Sequence, residues 1–353
     1  MTKTPDATFW RDRRVLVTGH TGFKGAWLTL WLKALGAQVT GIALPPPPGP
    51  SLWSSLDEPC RSIMLDIRDR PALAPTVKAA DPEIILHLAA QALVQESYLD
   101  PAGTFETNVL GTINLLEAAR ACENLRAIVN VTSDKAYENV EQVWGYRETD
   151  PMGGSDPYSA SKGCADLAAT AWRRSFFSGP QGPFLASARA GNVIGGGDWA
   201  ANRLVPDAVR AFSAGAPLRV RNPLATRPWQ HVLEPLGGYL ILAETLWSQG
   251  QAVAEGWNFG PMDEDPWTVA RVCDALVETW GDGAVWGLDE ASHPHEAHAL
   301  RVDAAKARQR LGWTPRLTTR QALDWTVEWY KQADSTGPAT AALAQIEHYG
   351  RLA

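Results

Sequence analysis

Near the start of this chain a buried strand, a seven-residue glycine loop and a helix follow one another without a gap. No other feature of its 353 residues constrains the fold as strongly. Val15-Leu16-Val17-Thr18 is a short apolar run of the kind that fills a strand covered on both faces. Gly19-His20-Thr21-Gly22-Phe23-Lys24-Gly25 comes next, and Ala26 to Leu35 carries apolar residues at helical spacing. A second strand, Gln38 to Leu44, then returns to the sheet as a parallel crossover. Pro45 to Pro48 breaks the chain after it, because consecutive prolines can neither donate to a ladder nor continue a helix.

The alternation continues. Ile84-Ile85-Leu86-His87-Leu88 and Ala127 to Val131 read as two more buried strands, and Thr107 to Ala121 places Val109, Ile113, Leu116 and Ala119 at helical spacing. A long helix is predicted from Pro157 to Phe177. Strands alternating with helices predict an α/β fold, a Rossmann-type doubly wound parallel sheet. The second half is less regular, with glycine and proline clusters at Gly195 to Gly197, Pro217 and Pro223. We expect a sheet domain of residues 1–190 and 229–258, and a smaller mixed C-terminal lobe of residues 191–228 and 259–353 that binds substrate.

Composition narrows the partners. A net charge of −7 argues against nucleic acid and anionic membrane surfaces, both of which attract basic faces. The four cysteines, Cys60, Cys122, Cys164 and Cys273, form no CxxC pair and have no histidines at zinc spacing, so reduced thiols and no metal are expected. No apolar run approaches the roughly 20 residues of a membrane helix, and Met1 to Trp10 lacks the apolar centre of a signal peptide. A soluble cytoplasmic protein is the expectation.

The loop supplies the first chemistry. Between a strand and a helix, its glycines let backbone approach a diphosphate, while the helix N-terminus offers free N–H donors and a partial positive charge. Gly19, Thr21, Gly22, Phe23, Lys24 and Gly25 are therefore candidates for holding a dinucleotide. Strand two ends in Ala43-Leu44 and proline, with no acid for a ribose hydroxyl and no arginine for a 2′-phosphate. The residues alone leave NAD against NADP open.

Tyr158 and Lys162 stand four apart on the predicted helix and share one face. An ammonium near the phenol favours the phenolate, lowering a pKa of about 10 toward working pH so that Tyr158 can take a hydroxyl proton. Thr132-Ser133-Asp134-Lys135 follows a buried strand at the sheet's carboxyl edge, where open α/β folds place ligands. If the strand continued, Asp134 and Lys135 would point to opposite faces. Both reach one site only if it has ended.

The GxxGxxG loop followed at this distance by YxxxK resembles the extended short-chain dehydrogenase/reductase family. The resemblance narrows to nucleotide-sugar 4,6-dehydratases, and among them to the group acting on CDP-glucose, on further segments: Gly153-Gly154-Ser155-Asp156-Pro157-Tyr158, Arg189-Ala190-Gly191-Asn192-Val193-Ile194-Gly195-Gly196-Gly197-Asp198-Trp199, Arg227-Pro228-Trp229-Gln230-His231 and His293-Pro294-His295-Glu296-Ala297-His298. It runs from about Phe9 to Trp329. Lys135, where dTDP-glucose dehydratases have glutamate, matches the CDP-glucose group.

The resemblance implies the following assignments. NAD is the cofactor, with Asp66 at the adenine and Ile67, Ala89 and Ala90 completing its site. Ser133 hydrogen-bonds the reacting oxygen, and Tyr158 and Lys162 serve C4 oxidation. Lys135 removes the C5 proton, and Asp134 protonates the departing C6 oxygen. CDP-glucose becomes its 4-keto-6-deoxy derivative through an internal hydride cycle, a step of deoxysugar and O-antigen biosynthesis. Arg227 and Asn192 match residues that meet the diphosphate. Arg203 and Arg219 are further phosphate candidates, since an arginine fork suits phosphate oxygens, and His295 is a candidate substrate contact. Helices Thr107 to Ala121 and Pro157 to Phe177 match those that pair two subunits, which implies a homodimer or homotetramer. Gln95 departs from an expected arginine, and Ala299 from an expected tyrosine. The rival readings are a nucleotide-sugar 4-epimerase, a dehydratase of another nucleotide hexose, and a cofactor-sensing protein without turnover.

Overall fold

The computed structural model describes residues 2–262, 267–289 and 298–352. Six strands are labelled in chain order: β1 (Arg14–Thr18), β2 (Gln38–Ala43), β3 (Arg61–Met64), β4 (Ile84–His87), β5 (Ala127–Val131) and β6 (Phe184–Ala190). With the strand Gly256–Phe259 they form one seven-stranded sheet, running from Gly256–Phe259 through β6, β5, β4, β1 and β2 to β3. Every pairing is parallel, with Val15 opposite both Val39 and Ile84. β4, β5 and β6 are buried at every residue because helices cover both faces. β3 closes the sheet with an exposed, polar Arg61-Ser62 edge, which discourages pairing with another chain.

Three boundaries differ from the sequence reading. The helix after β1 spans Phe23–Ala34 and so begins inside the glycine loop, with Gly22 as its N-cap. β6 went unread because Ser187 and Arg189 interrupt its apolar run. The helix expected from Thr107 to Ala121 is the end of a longer run: Pro101–Phe105, a π-helical turn at Glu106–Leu110, then Gly111–Ala119. The π turn brings Asn108 inward. Its amide accepts from Gln91 N at 2.8 Å and donates to Ser161 Oγ at 2.8 Å, tying it to the helix of Tyr158. That helix, Pro157–Ser175, starts as its residues dictate, with Pro157 in the first turn and the Asp156 carboxylate accepting from Ser159 N at 2.9 Å.

The less regular half builds a second layer over the strands' carboxyl ends. Val193–Ile194 pairs with Gln230–His231, and Leu218–Val220 with Trp286–Leu288. Helices Leu204–Ser213, Val269–Trp280 and Thr319–Thr336 pack there around Val205, Phe212, Val220, Val272, Leu276 and Leu323. Helices Ala305–Leu311 and Pro338–Arg351 return to the sheet's own core, where Tyr349 meets the Trp31 ring edge-on. Among the described residues no helix is long and apolar enough to cross a membrane.

Candidate active site

The glycines of the loop have separate reasons to be glycine. Gly19 has a positive φ of 76°, and a Cβ there would lie 2.7 Å from Ala89 N. A Cβ on Gly25 would lie 2.0 Å from Gly19 O, so the first helical turn seats directly on the loop. A Cβ on Gly22 would meet only Gly19 O, at 3.4 Å, and would otherwise project into open space. Gly22 caps the helix without any side-chain hydrogen bond, which leaves the first-turn N–H groups free for an anion. These features fit the diphosphate of a dinucleotide. Thr21 donates to Leu44 O at 2.8 Å and holds the loop against the end of β2. Phe23 and Lys24 turn toward a cavity of about 620 Å³ between the sheet and the second layer.

Farther along the sheet edge, Asp66 accepts from Arg68 N and from its guanidinium at 2.7 Å, which holds the carboxyl below the usual carboxylate range. Ile67 is buried beside Gly111. Ala89 donates its N–H to Thr18 Oγ1 at 3.2 Å, and Ala90 follows it, half-buried, on the same loop.

β5 ends at Val131, and the next residues form a 3₁₀ turn over Asp134–Ala136, capped by Ser133 Oγ accepting from Lys135 N. The strand has ended before the acid and the amine. Ser133, Asp134 and Lys135 therefore line one cavity together with Tyr158. Ser133 Oγ donates to Asp134 Oδ1 at 2.9 Å, and Lys135 Nζ lies 3.5 Å from Asp134 Oδ1 and 3.5 Å from Asn192 Oδ1. Asp134 is 1% exposed, and its Oδ2 has no hydrogen-bond partner among the described residues.

The electrostatics of Tyr158 and Lys162 correct one expectation. Burial pushes the Tyr158 phenol up to about 12; a hydrogen bond with Ser133 opposes the shift and the Asp134 charge adds to it. Burial, reinforced by the Lys24 charge and opposed by Asp166, pushes Lys162 itself down to about 7. Lys24 is likewise pushed down to about 8, by burial first and then by Arg203, with Asp134 opposing.

The same cavity also carries arginines. Arg203, Arg219, Arg221 and Arg227 all line it. Arg203 is fixed by Asp198 at 2.9 Å, Arg219 meets the carbonyl of Leu288, and Arg227 meets those of Thr226 and His298. Asn192 lines the cavity beside Lys135. His295, with most of the histidine-rich segment, lies outside the described residues. His231 is buried between the rings of Trp27 and Trp325 and pushed down to about 3. No cluster of three or more His, Cys, Asp or Glu able to hold a metal occurs among the described residues. Gln95 lines the cavity. Ala299 meets Asn139 through its carbonyl at 3.0 Å, a contact that needs no side chain.

Sequence reasoning missed a buried network beneath the turn, in which Asp166 and Arg189 pair at 2.8 Å. Two signals pointed to it: Asp166 follows Lys162 at helical spacing, and Arg189 is a lone cation in a strand of small and apolar residues, which must find an anion.

The chain matches the family model described as GDP-mannose 4,6 dehydratase over residues 16–326. It is 52% identical over 332 residues to the CDP-glucose 4,6-dehydratase of Salmonella typhimurium, covering 92% of each chain. It is 30% identical to the dTDP-glucose 4,6-dehydratase of Neisseria meningitidis, covering 90% of this chain and 93% of that one. Among solved structures, it is similar to the dTDP-glucose 4,6-dehydratase DesIV of Streptomyces venezuelae with NAD bound (TM-score 0.75, 23% identity, 92% and 99% covered). The UDP-glucose 4-epimerase of Thermotoga maritima gives a TM-score of 0.75 at 22% identity, with 91% and 99% covered. Those two likenesses establish the fold.

Proposed function

The chain belongs to the GDP-mannose 4,6 dehydratase family, and from that premise we propose that it is an NAD-dependent hydro-lyase converting CDP-glucose to CDP-4-keto-6-deoxyglucose. The observation that carries the reading is the short turn after β5, which turns Asp134 and Lys135 onto the same cavity as Ser133 and Tyr158. An epimerase has no use for an acid and a base beside C5 and C6. A dehydratase requires both.

NAD held by Gly19, Thr21, Gly22, Phe23, Lys24 and Gly25, with Asp66, Ile67, Ala89 and Ala90 at its adenosine end, supplies a hydride sink at C4, a hydride source at C6 and a ring charge favouring the Tyr158 phenolate. Tyr158 takes the O4 proton while Ser133 holds that oxygen, and Lys162 supports the tyrosine. The resulting ketone acidifies C5. Lys135, as the free amine, takes the C5 proton, and Asp134, as the acid, gives its proton to the C6 oxygen as water departs. The amine becomes an ammonium and the acid a carboxylate, 3.5 Å apart. As C6 is reduced, Lys135 returns its proton to C5, and the O4 proton held by Tyr158 replaces the one Asp134 gave to the water, so all three groups are reset and one water is lost. Arg203, Arg219 and Arg227, with Asn192 and His295, are the proposed contacts to the nucleoside diphosphate. The same reading places the protein in the cytoplasm with its cofactor. It also pairs two copies through helices on which Leu110 and Leu167 are exposed, which light scattering tests.

Turnover compared across CDP-, dTDP-, UDP- and GDP-hexoses tests the substrate, with the CDP-hexose expected to lead and the product to be lighter by one water. Deuterium placed at C4 is expected in the new methyl group. A product of unchanged mass would make the enzyme an epimerase instead.

A further inference from the structure

Both ends of the turn that carries Asp134 and Lys135 are tied to one buried ion pair. Before the turn, Thr132 Oγ1 donates to Asp166 Oδ2 at 2.9 Å. After it, the Tyr137 hydroxyl accepts from Arg189 Nη1 at 2.7 Å and donates to Asn258 Oδ1 at 2.7 Å. Arg189 in turn grips Asp166 with both arms, Nε to Oδ2 at 2.8 Å and Nη2 to Oδ1 at 3.0 Å. Asp166 stands one helical turn beyond Lys162 on the helix of Tyr158, and Arg189 stands on β6 beside β5.

A buried ion pair is a poor way to gain stability, since apolar residues of similar volume often do as well. What it gives is direction: a planar fork admits one geometry. The side chains of Arg189 and Asp166 are 5% and 1% exposed, and the fork's remaining arm reaches Tyr137 and Glu148 O. Carboxylate and guanidinium are thus both engaged by the segment that follows β5.

We propose that the Asp166–Arg189 pair is a positioning device that registers the elimination turn, residues 133–137, against the helix carrying Tyr158 and Lys162, acting through Thr132 and Tyr137. The inference rests on the dehydratase reading for its kinetic consequence. Loosening the turn takes Asp134 and Lys135 out of register while leaving Tyr158 and Lys162 in place. The two half-reactions then come apart: C4 oxidation, which depends on the turn through Ser133 alone, slows less than water loss, which depends on it through both Asp134 and Lys135. A displacement of about 1 Å at a reacting group costs on the order of a hundredfold in rate.

The test uses the full chain as Thr132→Val, Tyr137→Phe and, as the conservative control, Thr132→Ser. Amide exchange without substrate is expected to rise over residues 133–137 in the first two variants and to stay at the wild-type level over residues 158–166. On rapid mixing of the NAD-loaded protein with CDP-glucose, formation of reduced nicotinamide is expected to slow far less than water loss, so that the reduced form accumulates. Dehydrated product should fall by on the order of a hundredfold, and Thr132→Ser should restore it. Unchanged exchange over 133–137 overturns the proposal. So does equal slowing of both half-reactions in variants that melt at the wild-type temperature. If the wild-type protein reduces no nicotinamide with any nucleotide hexose, the dehydratase reading fails, and the exchange data still decide the positioning role.

Discussion

Lys162 is expected to weaken the fold it serves, and Lys162→Met should make the protein more stable while abolishing its turnover. Its ammonium is 6% exposed, and burial first, then the Lys24 charge, pushes it from the usual 10.5 down to about 7. That gap corresponds to roughly 5 kcal/mol of differential interaction, of which about half survives local relaxation, so a gain of about 2–4 kcal/mol is expected. The sign follows from proton counting. Between pH about 7 and 10.5 the unfolded chain holds the Lys162 proton and the folded chain does not, so wild-type stability rises with pH across that window. The penalty is therefore full below pH about 7 and gone above 10.5. The assay is urea unfolding of both proteins at a series of pH values, followed by tryptophan fluorescence, since Trp10, Trp27, Trp257, Trp313 and Trp329 are fully buried. The midpoint of Lys162→Met should exceed that of wild type most at neutral pH and below, and the two should converge toward pH 10.5. A difference that is constant with pH, or a less stable variant, would refute the argument that Lys162 is held against its own solvation.

Other outcomes follow from the same geometry. Lys135→Ala should stop water loss and trap reduced nicotinamide after C4 oxidation, read by its near-ultraviolet absorbance; unchanged dehydration would remove Lys135 from the mechanism. Gly22→Ala should leave the melting temperature of the ligand-free chain nearly unchanged, because its Cβ meets only Gly19 O at 3.4 Å, yet abolish most of the thermal shift given by NAD. Gly25→Ala, whose Cβ would lie 2.0 Å from the same oxygen, should lower that melting temperature outright. Arg189→Met should cost about 3–5 kcal/mol in chemical unfolding by leaving Asp166 buried and unpaired, and adding Asp166→Leu should recover part of it.

Much of this protein was legible in its residues. Parallel strands covered on both faces must be short, apolar and joined by helices, so β1, β2, β4 and β5 could be read from local pattern, and the glycine loop from its position between strand and helix. Tyr158 and Lys162 share a helix face through spacing alone. β6 was not legible, because Arg189 interrupts its apolar run, and only a partner 23 residues away in sequence explains a charge there.

What tertiary structure alone decided is where the strand before Ser133 stops and how its charges are compensated. Sequence alternation left Asp134 and Lys135 either on opposite faces or together; the turn, fixed at both ends by Asp166 and Arg189, puts them together. Nor could the residues give the charge states of Tyr158 and Lys162. Spacing makes them neighbours, but burial sets the cost of each charge, and burial depends on segments from across the chain: the loop at Lys24, β6 and the layer over the sheet. Local pattern specifies elements because it acts over a few residues. Ionisation and register depend on what lies across the fold, and only the folded chain brings those groups within reach.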